Sequence, residues 1–456
     1  MNQLLIKNKK GIVIYNIKYK NALNLCLLKL FGGIFENEKL KYSYIISSYL
    51  KNMNIKQINL CNSFVINSSF IDTILLNIDF NSSILKYTVF MRNYLELISF
   101  NNCDLTFTNY SSSFVNNCDF SRAMLLNTNL SRTTFISNKV KLAELIRADF
   151  SESILRDNLF NRCVINNVKL DYSCLEYVYI DHSKIYNSYL LNIMFDSIDF
   201  HYINFKNTLF KFCQLLDSRF NNSDFYKLTF LKNLESCNTC YWVTYKYTKF
   251  RESKYLSNIY KNTSFDSCEF DKDLKDNCNF YDFSIINSSF NQINYKLNIF
   301  KKGSIENCWI YNSMLKYTEL IDVFLFKSYI YNSDFSYSNF NSCRLDGLNI
   351  YNSYLRNTNY EKNYFNNIVF NDSEVSKSEF WNCKFLNVTF NDVDLSDTVF
   401  SECRFENVKF NNSHLDNMIF SNSVLQNCIF IDCDMEYLYF DKTKQINQKI
   451  IYKYLI

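Results

Sequence analysis

From Leu60 to Phe440 every fifth residue of this chain is large and apolar or a tyrosine, with no slip of frame. The register reads Leu60, Val65, Phe70, Leu75, Phe80 and runs on to Phe430, Met435 and Phe440, 77 sites in all. Only Glu235 and Lys275 are charged, and Cys240 is the other departure. Neither the 3.6-residue turn of a helix nor the two-residue pleat of a strand produces a five-residue period. A period held this long marks a repeat architecture, in which one unit cannot bury its own side chains and must stack on the next.

Two further columns keep the same frame. Two residues before each large site stands a small one: Ser63, Ser68, Thr73, Ser83, Thr88, then Cys103, Thr108, Ser113 and Cys118. Twelve of the 17 cysteines fall in this column, so they read as small interior residues and free thiols rather than as a disulfide framework. Two residues after each large site the chain favours Asn, as at Asn407, Asn412, Asn417, Asn422 and Asn427. Asn tolerates left-handed backbone, so this column predicts corners. The chain has no proline, which fits long β-ladders, because proline cannot donate to them.

These columns resemble the pentapeptide-repeat family, whose unit is a small residue, Asp or Asn, Leu or Phe, and two variable positions. Ala148-Asp149-Phe150-Ser151-Glu152, Cys118-Asp119-Phe120, Ser223-Asp224-Phe225 and Ser333-Asp334-Phe335 carry the match. The resemblance implies an all-β solenoid, a right-handed quadrilateral β-helix with four repeats per coil. The 77 sites then make about 19 coils, a rod of roughly 90 Å at ~4.8 Å per strand.

Outside the repeat, residues 1–57 form a basic N-terminal segment, expected to be partly helical. Gly11 to Lys20 suits a strand, Asn21 to Phe31 a short apolar helix and Leu40 to Met53 an amphipathic helix. Residues 58–440 are the β-helix, and 441–456, with Ile446, Ile450, Ile451, Tyr454 and Leu455 on one face, are expected to form a C-terminal helical cap. Charge is unevenly spread: the first 59 residues carry +8, the last sixteen +3, and the chain as a whole +4, which leaves −7 for the repeat body. The register is least regular from Leu231 to Lys261, around Glu235, where a bulged coil or a small excursion that preserves frame is expected; a second blemish lies at Asp271 to Asn279, around Lys275.

Chemistry is sparse. With 48% hydrophobic and 18% aromatic residues the chain is too apolar to be disordered, and five glycines leave no phosphate-cradling loop. Cys237 and Cys240 are spaced as CxxC, but a zinc site needs four ligands and no second pair follows. Of the three histidines, His201 and His414 flank inward positions and His182 sits at a corner, an arrangement without a convergent nucleophile and base. No catalytic residue, cofactor or metal is therefore expected, and no small-molecule substrate. The opening MNQLLIKNKK lacks the pattern of a signal peptide, and Leu25 to Phe35 is too short to span a bilayer. A reducing cytosol is the expected location.

The candidate binding residues are aromatic. Tyr311, Tyr331 and Tyr351 recur at one-coil spacing in an outward column, and Trp309 and Tyr329 occupy the neighbouring column of the same face. Clustered exposed aromatics suit a protein interface, though stacked tyrosines also stabilise β-ladders. A protein–protein interaction scaffold is the favoured function. The apolar stretch with Gly32-Gly33 and the helix-like segment Phe35 to Asn52 resemble the region before the repeats in pentapeptide effectors injected by type III secretion systems. That implies a bacterial effector acting in host cytoplasm on host proteins or membranes, with the lysines of residues 1–57 touching an anionic surface. The alternative that the family implies is a DNA mimic that protects or inhibits a topoisomerase such as gyrase, dimerised through its C-terminal helix. The mixed charge of the repeat body suits that role poorly, and nucleic-acid binding is not expected because no basic stripe recurs at coil spacing.

Overall fold

The computed structural model describes residues 2–8, 10, 12–19, 24–36 and 38–451. The chain divides into two compact units, Met1–Leu228 and Thr229–Ile456. Each is a β-solenoid, and between them they hold about 21 turns. Within each unit a strand lies parallel to its equivalent 20 residues on. In the first unit Phe114–Asn116 pairs with Thr134–Ile136, and in the second Lys384–Leu386 pairs with Arg404–Glu406.

The three columns explain this geometry. Large residues point inward and stack: Phe80 on Phe100 with ring centroids 5.5 Å apart in the first unit, Phe385 on Phe405 at 4.5 Å in the second. Rings on adjoining faces meet edge to face, as Phe380 does with Phe385 at 61°, the offset that ring quadrupoles favour. Two residues after each core site the backbone is left-handed, with φ between 42° and 63° at every non-glycine corner. Asn407, Asn412, Asn417, Asn422 and Asn427 all stand at such corners. Four corners per 20 residues give the square section. Leu97, Phe107 and Trp242 are bent into the same conformation at corners of their own, against their intrinsic preference.

The small column solves a hydrogen-bonding problem. The amide of Ser63 donates to Ser83 Oγ (2.9 Å), one coil on, and that hydroxyl donates to the Leu60 carbonyl (2.8 Å). Asn138 does the same with its amide group, accepting from Cys118 N and donating to the Val115 carbonyl. A buried hydroxyl, thiol or carboxamide at this site therefore satisfies groups that the ladder leaves over.

Both ends differ from the sequence expectation. There is no helix among the described residues, so the helical caps are not found. Val13–Tyr19 is a strand, as expected, and pairs antiparallel with Asn2–Lys7 to form a hairpin, with Ile6 buried and Lys7 paired to Ile34 of the first coil. The segment read as an amphipathic helix is instead the strands Tyr44–Ile46 and Tyr49–Asn59. Inward packing runs back through Ile55, Leu50, Ile45, Leu40, Phe35 and Leu30 to Leu25, all buried. At the other end Tyr439–Asp441, Lys444–Ile446 and Lys449–Ile451 continue the coils where a terminal helix was expected; Tyr454 and Leu455 lie outside the described residues. These added coils raise the count above 19. The segment 231–261 is not bulged either: Leu234–Ser236 pairs in register with Lys254–Leu256, and Glu235 points inward.

In the first unit an apolar cavity of about 50 Å³ is lined by aliphatic residues, among them Leu155, Ile165 and Ile185, together with rings such as Phe160 and Phe195.

Candidate functional site

The second unit carries the aromatic cluster. On the strand Trp309–Tyr311 the central Ile310 is buried while its two neighbours project outward, and Tyr329–Tyr331 repeats the pattern one coil on. Alternation along a strand puts residues i and i+2 on one face, so two aromatic columns rise side by side. Trp309 stacks on Tyr329 with centroids 4.3 Å apart and planes 12° from parallel, and Tyr331 stacks on Tyr351 at 5.4 Å and 8°. Between the columns lies a cleft of about 560 Å³, lined by all five of Trp309, Tyr311, Tyr329, Tyr331 and Tyr351, and also by Ser289 and Asn349. Trp309 is 53% exposed and Tyr331 49%. The sequence spacing thus brings every candidate residue to one surface.

Exposed stacks recur elsewhere, Tyr87 on Phe107 in the first unit and Tyr317 on Tyr337 in the second. Those are single columns, and a single column is what ladder stabilisation alone requires. The paired columns and the cleft between them set the Trp309 cluster apart.

The surface continues around a corner. The Tyr351 hydroxyl donates to Asp372, whose carboxylate pushes the phenol above its ordinary pKa. Asp372, Glu374, Asp392 and Asp394 line a second groove, of about 390 Å³, on the corner and the adjoining face. Glu374 is paired with Arg356 at 3.4 Å, and His414, at the groove's edge, faces Asp434 at 3.7 Å. Among the described residues no cation of the chain pairs with Asp372, Asp392 or Asp394. Aromatic counting along the sequence passed over these acids, although Asp372 and Asp392 are legible as a pair at one-coil spacing in the corner column.

The other candidates stay apart. Cys237 is an exposed corner residue and Cys240 is buried, so the CxxC sulfurs face opposite ways. Among the described residues no group of three His, Cys, Asp or Glu is arranged to hold a metal. His182 and His201 both approach Asp181 Oδ1, at 2.5 and 3.2 Å, on the surface of the first unit. Inside the second unit is a cluster the sequence marked only as a blemish. Glu235, Asp273 and Lys275 are all buried, with Lys275 Nζ 3.7 Å from the Tyr255 ring centroid and 5.0 Å from that of Tyr260.

Comparison with known proteins points one way. A family model described as "Pentapeptide repeat region" matches residues 373–447, and one described as "Pentapeptide repeats (8 copies)" matches 98–135. No curated protein matches the sequence. Similar solved structures include HetL, a pentapeptide repeat protein involved in heterocyst differentiation regulation from the cyanobacterium Nostoc sp., at 12% identity over 51% of this chain and 89% of that one, TM-score 0.19. Full-length QnrB1, a plasmid-mediated fluoroquinolone resistance protein, is 15% identical over 43% and 93%, TM-score 0.19. The alginate lyase AlyGC is 7% identical over 94% and 96%, TM-score 0.17. Likenesses this remote say nothing of what the chain does. The two family-model matches lie at opposite ends of a single five-residue frame that runs unbroken between them, and the chain is accordingly a member of the pentapeptide-repeat family.

Proposed function

We propose that this protein is a non-enzymatic interaction module whose docking surface is the aromatic cleft of the second unit. The observation that carries the reading is the pair of parallel columns, Trp309–Tyr329 and Tyr331–Tyr351, flanking one cleft. Aromatic side chains bring large contact area with few rotors to freeze, which is why they dominate interface energetics. The partner is a protein. The effector refinement drew on the apolar stretch with Gly32-Gly33 and on a helix-like Phe35 to Asn52, and the described residues of the latter are strand and turn, so the proposal stops at interaction. Topoisomerase mimicry is disfavoured by the bases interleaved with the acids, as in Lys249–Glu269 and Lys246–Asp266.

The test is affinity capture from cell lysate with the intact chain and with the Tyr331→Ser/Tyr351→Ser variant. Both positions lie outside the core, so the variant keeps its β-sheet circular dichroism. A protein retained by the parent and lost by roughly tenfold or more in the variant is the expected result. Equal retention by both removes the cleft from consideration.

A further inference from the structure

Elsewhere in the second unit, several surface rings are covered by the chain's own cations. Lys296 lies over Tyr317, Lys327 over Phe326, Arg356 over Tyr354 and Lys362 over Trp381. One column gives the arrangement in full: the Arg344 guanidinium carbon stands 5.6 Å from the Phe324 ring centroid and 5.5 Å from that of Tyr364, one coil to either side. A planar guanidinium thus fills the space between two rings two coils apart, which suits its weak hydration and flat shape.

The cleft rings are not covered in this way, and unlike the other uncovered rings of the unit, such as Trp242 and Tyr337, they form two columns beside an acidic corner. Among the described residues no cation of this chain lies over Trp309, Tyr329, Tyr331 or Tyr351. The position one coil before Trp309 is Ser289, and that one coil beyond Tyr329 is Asn349, both cleft-lining. Beyond Tyr351 the next residue in the column is Asn371. The Trp309–Tyr329 stack therefore ends against small polar side chains on both sides, and the Tyr331–Tyr351 stack, preceded by Tyr311, ends against Asn371, whereas on the adjoining face an arginine stands beside the rings. Around the corner, Asp372 and Asp392 offer carboxylates without a cation of their own, and Asp372 is tied to the cleft by the Tyr351 hydroxyl.

We infer that the cleft and the adjoining acidic corner dock an extended, arginine-bearing peptide segment of the partner protein, whose guanidinium groups cap the open ring faces and pair with Asp372 and Asp392. The inference rests on the docking role assigned to the cleft and adds the chemistry of the occupant. Stacking on rings and forked pairing to carboxylates are both properties of the guanidinium, so a single residue type meets both halves of the surface. Lysine meets the charge but not the plane.

The experiment is fluorescence anisotropy on the full chain with three dye-labelled peptides of equal length, alternating Arg-Gly, Lys-Gly and Gln-Gly. The expected order is Arg above Lys above Gln, with Arg-Gly bound roughly tenfold or more tighter than Gln-Gly at low salt. Asp372→Asn/Asp392→Asn, which keeps residues suited to left-handed corners, and Trp309→Ser should each weaken Arg-Gly several-fold. Equal binding of Gln-Gly and Arg-Gly, with both lost in Tyr331→Ser/Tyr351→Ser, overturns the arginine inference and leaves the docking cleft standing. Arg-Gly that fails to bind, or that binds Tyr331→Ser/Tyr351→Ser as well as the parent, overturns the inference and the cleft together.

Discussion

Phe283 occupies a site where the frame calls for a small residue, and its consequence falls one coil later on Gly303. A Cβ at residue 303 would stand 2.3 Å from the Phe283 ring and 2.6 Å from its backbone carbonyl oxygen, so glycine leaves the room that the phenyl and the close approach of the two coils need. The two positions compensate each other, one oversized and one emptied, and the coil keeps its section. Gly303→Ser alone should destabilise by about 1–3 kcal/mol, the usual cost of overpacking. Adding Phe283→Ser restores two ordinary small sites, removes the ring clash and lets the backbone at residue 303 relax away from the carbonyl, and should recover part of that loss in urea unfolding. A neutral single substitution, or a double variant no better than the single, would count against this packing. Both departures stand in the sequence, because positions 283 and 303 are in frame. Their mutual fit was not legible, since it depends on knowing that they stack 20 residues apart on one face and that the ring leans toward the later coil.

At the scale of a column, the cysteines follow the same logic as the serines. Cys103 Sγ donates to the Phe80 carbonyl (2.9 Å) and Cys343 Sγ to the Leu320 carbonyl (3.2 Å), the contacts that Ser83 makes with Leu60. Burial pushes both thiols up to about 12, so neither supplies thiolate at neutral pH. A bulky aromatic disulfide reagent should therefore react quickly in native protein with Cys26 and Cys237, which are exposed, and with the column only after denaturation. Rapid native labelling of Cys343, Cys383 and Cys403 would place the column outside. This interior was readable from the frame alone. The terminal elements were not, although Leu25, Leu30, Phe35, Leu40, Ile45 and Leu50 keep the five-residue spacing. Extra apolar residues between those sites, such as Leu27, Leu28 and Phe31, blur the columns into a pattern that also fits a helix. Stacking on the next coil decides the outcome, because a strand laid on a finished ladder gains its hydrogen bonds at once, whereas an isolated helix must first nucleate.

Across the whole molecule, the five-residue frame is obeyed so strictly that its two charged exceptions become the most informative sites. Glu235 and Lys275 were legible as exceptions, the first read as a bulged coil or small excursion and the second as a blemish of the register, although buried charge is costly wherever it stands in frame. The chain instead keeps its frame and changes protonation. Burial pushes Glu235 up to about 8, with the charge of Asp273 adding to the shift, and pushes Asp273 up to about 7. Burial pushes Lys275 down, and its amine rests against the Tyr255 ring. The signs oppose one another. A carboxyl with a raised folded pKa contributes its full stability below its unfolded value, roughly 4, and loses it as pH rises through 7 to 8. A lysine with a lowered folded pKa instead costs stability as pH falls below its unfolded value, roughly 10.4. Lys275→Met removes the opposing group, so its unfolding free energy from urea titration should fall between pH 5 and pH 8, by at most about 1.4 kcal/mol per pH unit for each titrating carboxyl. Adding Glu235→Gln and Asp273→Asn to that background removes both carboxyls and should flatten the fall. Other titrating groups are common to both variants, so the difference between the two slopes belongs to the cluster. Equal slopes would mean that Glu235 and Asp273 titrate as they do in the unfolded chain, and hence that the side chains at these in-frame positions do not point inward.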